Sequence, residues 1–396
     1  MLLDDLKVLD LTHYISGPYC TKLFADLGAE VWKIEPPGRG DPCRGIGPFP
    51  DDLSHQERSG LFLYLNTGKK SVTLDLRNEK AKELLLGLAR EADVLVENFK
   101  PGVMGRLGLD YETLKGLNPG LVMTSISSFG QAGPYRDYEV TEIGLHALSG
   151  LMHVAGEPGR EPLKKGGNFA QYHGSLNAFV ATMSALFYRN MTGAGQHVDV
   201  SIAESFVAIN GRPLKIYAYT GEIASREGVQ ARAWPSGFYL CQDGYVAFSP
   251  SQGRDWWTDF VKMVDMPEFR DPRFTTREGR AENAEELDAY FAVWMVEHTK
   301  QEVYRLSQEH RIPSGYLCDA QDLLDSPQLL ARGFYSEVDH PEAGGQMLPG
   351  LPFKLSSQQV SGDRAPLLGE HNEDVLCGVL GLSKVDLGAL QDLGTV

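Results

Sequence analysis

The amino-acid sequence reads as an α/β protein: a parallel, helix-covered sheet with a smaller α+β unit inserted between two parts of the main domain. Three observations carry this. Short β-like runs alternate with helical stretches over the first two hundred residues, the pattern of a parallel sheet with helices on its faces. That alternation then gives way to a hairpin and a run of helices. Past Gln328 the chain is rich in Pro and Gly and ends in short helices. The implied boundaries are 1–205 for the N-terminal part of a large domain, 225–325 for a small domain, and 330–396 for a C-terminal part that returns to the large one.

Taken in order, Lys7–Leu11 (KVLDL) has the length and flanks of a strand, and Gly17-Pro18 opens an amphipathic stretch through Leu27. Glu30–Ile34 (EVWKI) is a second strand, closed by Pro36-Pro37-Gly38, and Ser71–Leu74 a third. Glu79–Arg90 is a helix with Leu84, Leu85, Leu88 and Ala89 on one stripe. Asp93–Val96 and Leu121–Ile126 add strands, with a short helix over Tyr111–Gly116 between them. Asn177–Tyr188 reads as a long buried helix, Gln196–Ser201 as a strand, and residues 205–225 as a helical exit ending at Gly221. Gly237–Ser249 has the pattern of a hairpin turning at Asp243-Gly244. Helices are expected at Arg254–Val264, Ala284–His298, Lys300–Gln308, Asn372–Gly378 and Lys384–Asp392.

Composition excludes several classes. Hydrophobic residues make up 42% and charged residues 23%, which rules out disorder and fibrous repeats. The longest apolar-rich run, Asn177–Phe187, is shorter than the ~20 residues a bilayer span needs. Met1-Leu2-Leu3-Asp4-Asp5 places no basic leader before an apolar stretch, so a cytoplasmic protein is expected. A formal charge of −16 argues against a nonspecific nucleic-acid or lipid binder, yet leaves room for a local phosphate site. Cys20, Cys43, Cys241, Cys318 and Cys377 are scattered, without metal spacing, and read as reduced, buried thiols. No metal site is expected from the ten histidines either.

Standard motifs fail. The first strand-to-helix turn reads Ser16-Gly17-Pro18-Tyr19-Cys20 instead of G-x-G-x-x-G, and Gly38-Arg39-Gly40-Asp41 lacks the third Gly at Cys43. Gly68-Lys69-Lys70 lacks the upstream Gly of a Walker A loop, and neither H-E-x-x-H nor G-x-S-x-G occurs. What remains is the loops expected at the carboxyl ends of strands: His13–Pro18, Pro36–Arg44, Asn66–Lys70 and Asn98–Arg106. They would gather Arg39, Arg44, Lys69, Lys70, Lys100 and Arg106 on one edge, either as a solvated basic rim or as a site for a phosphorylated cofactor.

Several stretches together resemble the class III CoA-transferase family, which includes formyl-CoA transferase, carnitine CoA-transferase and α-methylacyl-CoA racemase. They are Val8-Leu9-Asp10-Leu11-Thr12 with Gly17-Pro18, Leu27-Gly28-Ala29-Glu30-Val31 leading to Lys33-Ile34-Glu35, and Leu65-Asn66 with Gly68-Lys69-Lys70-Ser71. Ala92-Asp93-Val94-Leu95 through Asn98-Phe99-Lys100-Pro101-Gly102, Gly133-Pro134-Tyr135, and Gly195-Gln196-His197-Val198-Asp199-Val200 follow, then Pro366-Leu367-Leu368-Gly369-Glu370-His371. The resemblance spans nearly the whole chain. It implies a Rossmann-like large domain from both chain ends, a small domain, and two subunits threaded through each other as an interlocked, ring-like obligate dimer. It also implies coenzyme A or acyl-CoA as substrate, with contacts on Ile15, Ser16, Asn98, Phe99 and Arg106, and Lys69 serving a phosphate. Some relatives carry Arg directly after the Lys-x-Glu strand, where this chain has Pro36.

Family chemistry rests on one Asp, whose carboxylate attacks the thioester to give a mixed anhydride and free thiolate. The resemblance places Gln171 at that position, in Gly166-Gly167-Asn168-Phe169-Ala170-Gln171-Tyr172-His173-Gly174, and no Asp or Glu lies between Glu161 and Asp199. An amide carries no charge and no usable proton equilibrium at pH 7, so Gln171 cannot form the anhydride, although it can donate a hydrogen bond to a carbonyl. The His-Asp pair of the racemase branch is matched by Thr141-Glu142, which lacks the His; Glu142 matches an acidic residue of the transferases. Three readings stay open: the Asp-lacking subunit of a mixed CoA-transferase whose paralogous subunit brings the Asp, as in benzylsuccinate CoA-transferases; a homomeric enzyme working without an aspartyl intermediate; and a non-catalytic CoA-binding protein. The acid pocket is expected to draw on His13, Tyr14, Tyr138, His146, Trp256 and Trp257.

Overall fold

The computed structural model describes residues 2–226, 234–249, 255–356 and 362–396. The chain divides into two compact units: Met1–Met152, Lys164–Tyr219 and Ala331–Val396 form one, and His153–Leu163 with Thr220–Leu330 the other.

The first unit is built on six strands, β1(Lys7–Asp10), β2(Glu30–Glu35), β3(Lys70–Thr73), β4(Val94–Glu97), β5(Val122–Ser127) and β6(His197–Ser201). Their spatial order is β3-β2-β1-β4-β5-β6 and every pairing is parallel, the doubly wound arrangement whose order reverses beside β1. Between them run α1(Ser16–Asp26), α2(Gly60–Leu65), α3(Glu79–Glu91), α4(Val103–Leu107), α5(Tyr111–Leu117), α6(Glu142–Leu148) and α7(Phe169–Thr192). Side chains alternate across the strands. Leu9, Trp32, Ile34, Leu95 and Met123 face a core completed by α3, whose stripe Ala81, Leu84, Leu85, Leu88 and Ala89 is buried, and by Val375, Leu376 and Leu387. Val8, Val31, Val94, Val96, Val122 and Val200 face the opposite core, with Phe24 of α1 and Ala178, Ala185 and Leu186 of α7.

β6 leads into α8(Ile202–Ala208) and α9(Gly211–Thr220). In the second unit, β7(Gly237–Cys241) and β8(Gly244–Phe248) form the expected hairpin. The helices α10(Trp257–Val264), α11(Arg277–Glu282), α12(Ala284–Val296) and α13(Lys300–Glu309) follow, and β9(Ser314–Tyr316) pairs with β8. The expected helix start at Arg254 lies outside the described residues. The chain continues through α14(Ala320–Leu324) and α15(Pro327–Ala331) to an antiparallel hairpin, β10(Tyr335–His340) and β11(Gly344–Pro349), in the region read only as rich in Pro and Gly. After it come a π-helical turn at Glu373–Cys377, where a short helix was expected, and α16(Lys384–Asp392).

Three more sequence expectations change. Asn66–Lys70 enters β3 instead of leaving a strand, because α2, unread in the sequence, precedes it. Trp256 and Trp257 do not line an acid pocket: both are buried in the second unit's core, with the Arg280 guanidinium 4.9 and 4.8 Å over their rings. Cys20, Cys43 and Cys241 are buried as expected, but Cys318 is exposed and Cys377 half-buried. Among the described residues no helix is long and apolar enough to cross a membrane.

A buried ionic network ties the first loops to the sheet. Asp10, at the end of β1, accepts from Thr12 Oγ1 (2.5 Å), Thr21 Oγ1 (2.6 Å) and Lys69 Nζ (2.9 Å). Burial alone would raise its carboxyl, but Lys33 and Lys69, with the two threonines, outweigh that and hold it well below the usual range. Breaking a buried pair leaves one charge uncompensated and costs about 3–5 kcal/mol. Lys69→Met is therefore expected to destabilise by that much in urea unfolding, and Asp10→Asn combined with Lys69→Met to cost clearly less than the two single changes summed.

Candidate active site

The carboxyl ends of β1–β4 open onto a cavity of about 690 Å³, lined among others by His13, Pro36, Arg39, Leu74, Phe99 and Val103. That is where an open α/β sheet binds ligands, and the size suits a cofactor pocket. The loop after β1 is fastened tightly. Gly17, in the first turn of α1, lies so close to Thr12 that a Cβ there would come within 2.2 Å of it. Tyr14 takes a left-handed φ of 63° and donates its N–H to Asp41 Oδ1 (3.1 Å).

Four of the residues implied for cofactor binding come together here. Asn98 and His13 exchange two hydrogen bonds of 2.8 Å, Asn98 Nδ2 donates to Ser16 Oγ (3.2 Å), and the His13 ring meets Phe99 edge-on at 5.4 Å. Ile15 is half-buried at the N-cap of α1, against the cluster of Cys43, Phe62 and Leu65. Burial lowers His13, with Asp41 opposing, so it is neutral at pH 7.

The basic edge shrinks. Lys69 is sealed from solvent, its ammonium donating to Asp10, Pro18 O (2.9 Å), Thr21 Oγ1 (2.7 Å) and Asn66 Oδ1 (2.9 Å), so it has no proton left for a phosphate and is corrected to a structural residue. Burial pulls it down to about 8 against the attraction of Asp10. Arg44 is likewise buried, forking onto Glu35 (2.7 and 2.9 Å) and reaching Glu57 (2.6 Å), while Lys70 bridges Glu30 and Asp374. Lys100 is exposed and pairs with Glu139. Arg39 and Arg106 are exposed and have no ion-pair partner among the described residues. Sequence reasoning missed Arg136. A Cβ built on Gly102, whose φ is 82°, would lie 3.5 Å from both Arg106 Nη1 and Arg136 Nη2, so two guanidiniums converge beside the loop after β4.

Gln171 sits in the first turn of α7. This 24-residue helix has no side-chain cap of its own. Glu142 of α6 supplies one: its Oε1 accepts from Ala170 N (2.8 Å) and its Oε2 from Gln171 N (3.4 Å), placing a carboxylate where the helix dipole favours it. His146 Nδ1 lies 3.2 Å from Glu142 Oε1, and its ring packs on Phe206 at 4.5 Å; only 1% exposed, His146 is part of this support and not an open pocket wall. The Gln171 side-chain amide makes no hydrogen bond among the described residues. Ser175 Oγ contacts both Gln171 O (2.8 Å) and Ser16 O (2.6 Å), linking the start of α7 to the cofactor-side loop. Tyr14 and Tyr138 are exposed. No cluster of three or more His, Cys, Asp or Glu fit to hold a metal occurs among the described residues.

A doubly wound parallel sheet with a cleft at its carboxyl edge defines an α/β protein of the cofactor-binding kind. The sequence model of CoA-transferase family III matches residues 3–372, and the chain belongs to that family of enzymes. It is 35% identical over 392 residues to the succinyl-CoA–D-citramalate CoA-transferase of Chloroflexus aurantiacus, covering 98% of this chain and 96% of that one. It is 35% identical over 372 residues to the acetyl-CoA:oxalate CoA-transferase of Acetobacter aceti, covering 93% of each. The solved structure of a CAIB/BAIF family protein from Brucella suis superposes with a TM-score of 0.85 at 31% identity, over 94% of this chain and 98% of that one.

Removing the Glu142 carboxylate leaves two N–H groups of α7 without their acceptor. Glu142→Ala is expected to cost about 1–2 kcal/mol, in the range of a lost N-cap, and to speed amide exchange at Ala170 and Gln171 by about tenfold, read by hydrogen-exchange mass spectrometry or NMR.

Proposed function

We propose that this chain is the Asp-lacking subunit of a mixed-subunit CoA-transferase, binding and orienting acyl-CoA while a paralogous subunit brings the nucleophilic Asp. The observation that carries the reading is Gln171. It stands in the first turn of α7, uncharged, its side-chain amide making no hydrogen bond among the described residues, with no acidic residue between Glu161 and Asp199. The supporting geometry is the cavity at the carboxyl edge and the exposed guanidinium of Arg39, which has no ion-pair partner among the described residues. Coenzyme A carries about four negative charges, and guanidinium forks satisfy phosphate oxygens in pairs.

In this reading Arg39 and Arg106 hold phosphate groups, and Ile15, Ser16, Asn98 and Phe99 contact the nucleotide and pantetheine. Gln171 donates a hydrogen bond to the thioester carbonyl, and Glu142 keeps the helix start in place. The partner's carboxylate attacks that carbonyl, the C–S bond breaks, and CoA leaves as thiolate. The thiolate attacks the aspartyl carbonyl and releases the first acid; the acceptor carboxylate attacks the aspartyl thioester, expelling the thiolate and forming a second anhydride, and the thiolate attacks the acceptor's acyl carbon, forming the new thioester and freeing the Asp carboxylate. Benzylsuccinate-type acids are the candidate acceptors. The protein works in the cytoplasm as an obligate, interlocked dimer, with the large domain drawn from both chain ends. In support of association, Val180, Phe187 and Met191 of α7 and Tyr217 of α9 are all at least 60% exposed, an apolar display unusual for a monomer.

Mixed with acyl-CoA and a carboxylic acid, the chain alone is expected to show no CoA exchange and no hydroxylamine-trapped acyl adduct. Co-purification with an Asp-bearing paralogue is expected to restore exchange, and Gln171→Asp to yield a trappable adduct on residue 171. Exchange by the unmodified chain alone would overturn the mixed-subunit reading in favour of a homomeric enzyme without an aspartyl intermediate. Light scattering checks assembly separately: a monomer at micromolar concentration counts against the obligate dimer.

A further inference from the structure

We propose that Arg136 is a further cofactor-binding residue, and that its guanidinium and that of Arg106 close as a two-armed clamp on a single phosphate group. The proposal rests on the coenzyme A reading above and extends it to a residue of the loop after β5. Gly102, the residue before α4, has a φ of 82° and no side chain. A Cβ built there would lie 3.5 Å from Arg106 Nη1 and 3.5 Å from Arg136 Nη2. The two nitrogens thus border one small space, which any side chain at residue 102 would begin to fill. Val103 and Leu107 of α4 line the cavity, so this space stands beside its rim.

The loop that carries Arg136 is pinned at both ends. Asp199 of β6 accepts from Gln131 N through both carboxylate oxygens, at 3.0 Å each, and fastens its start. Glu139 pairs with Lys100 and ties its end to the loop after β4. Between these points Tyr135 stacks on Tyr138 at 4.9 Å and meets Phe129 edge-on at 5.8 Å. The N–H groups of Arg136 and Tyr138 donate to Gly133 O (3.3 Å) and Tyr135 O (2.9 Å), which folds the backbone into consecutive turns. A loop held this way has little order left to lose when a ligand arrives.

Charge decides what the space can hold. Two like charges brought together repel, and an anion between them turns that cost into a gain. The chain does not supply one: among the described residues no carboxylate pairs with Arg106, and Glu139 is engaged by Lys100. Asp137 Oδ1 lies 3.5 Å from Arg136 Nε, longer than a charge-assisted hydrogen bond. Neither guanidinium donates a hydrogen bond to a protein acceptor among the described residues. Each carries five N–H donors in a planar fork and stays charged at any working pH. A phosphate group spreads its charge over several oxygens in a tetrahedron, so it can take one fork on each side.

The test measures, by calorimetry on the full-length protein, the affinity for CoA and for dephospho-CoA, which lacks the 3′-phosphate. The variants are Arg106→Gln and Arg136→Gln. Both side chains are exposed, so the melting temperature is expected to hold and a lost affinity reports the ligand. Each change is expected to weaken CoA binding about tenfold, the advantage of one charge-assisted fork. The two are also expected to respond alike to the ligand. Both lose their effect on dephospho-CoA if the clamp takes the 3′-phosphate, and both keep it if the clamp takes the diphosphate. A split, in which dephospho-CoA silences one substitution and not the other, overturns the single-phosphate clamp. CoA affinity left unchanged by either substitution overturns it as well, while the coenzyme A reading stands. Should the unmodified protein bind no CoA, inorganic pyrophosphate is the probe. Pyrophosphate binding that both substitutions weaken keeps the clamp and drops the coenzyme A reading, and no binding overturns both.

Discussion

An ammonium group closed off from water has to find an acceptor for each of its protons, and the architecture of this site follows from how Lys69 does so. Its acceptors come from the end of β1, from α1 and from the residue that ends α2. Moving a charge of that size out of water costs several kcal/mol even after relaxation, so the network is tolerated only while all partners stay in place. Lys33 repeats the device one strand over, donating to Thr12 O (2.9 Å) and pairing with Asp41 Oδ2 (2.9 Å). The loops after β1 and β2 are thereby fixed to each other before any ligand arrives. Such preorganisation removes an ordering cost from binding. It explains how Ile15, Ser16, His13 and Asn98 can hold a tight mutual geometry on irregular backbone.

Much of the fold was legible because the strands of a doubly wound sheet are short runs between turn residues, and all six can be read in the sequence. What the pattern hides is charge. In EVWKIE nothing in the pattern shows that Lys33 and Glu35 are fully buried, since each is paired only once the following loop folds back with Asp41 and Arg44. The same blindness put Lys69 on a phosphate-binding edge. Gly60–Leu65 is too short to show a helical period, so the sequence alone reveals neither α2 nor that the loop after it enters β3. The β10–β11 hairpin went unread because its composition resembles a loop and few of its side chains are buried.

The site was legible to different depths. Ile15, Ser16, Asn98 and Phe99 came from the family resemblance, and their mutual contacts follow from the reversal of strand order beside β1. Arg136 carries no sequence signal: it is a surface cation, and only the fold brings it near Arg106 across Gly102. Gln171 is the opposite case: its identity is plain in the sequence, but its setting required the structure.

That setting bears on the chemistry. Glu142 already places a carboxylate against the first N–H groups of α7, so the helix dipole there is largely answered. A second carboxylate at position 171 would sit close to the first and be pressed by it, which raises its pKa and its reactivity toward a carbonyl. With an amide instead, the helix start is electrically quiet and the side chain has only hydrogen-bond donors and an acceptor to offer. Such a group lowers the cost of charge developing on a thioester oxygen but makes no bond to carbon. Under the proposed reading the covalent step then depends on a carboxylate from outside this chain. An intermediate held on protein pays its orientational cost once, which free acceptor acid cannot match. The loss of one charge at residue 171 would thus turn assembly with a second polypeptide from a matter of stability into a requirement of the reaction.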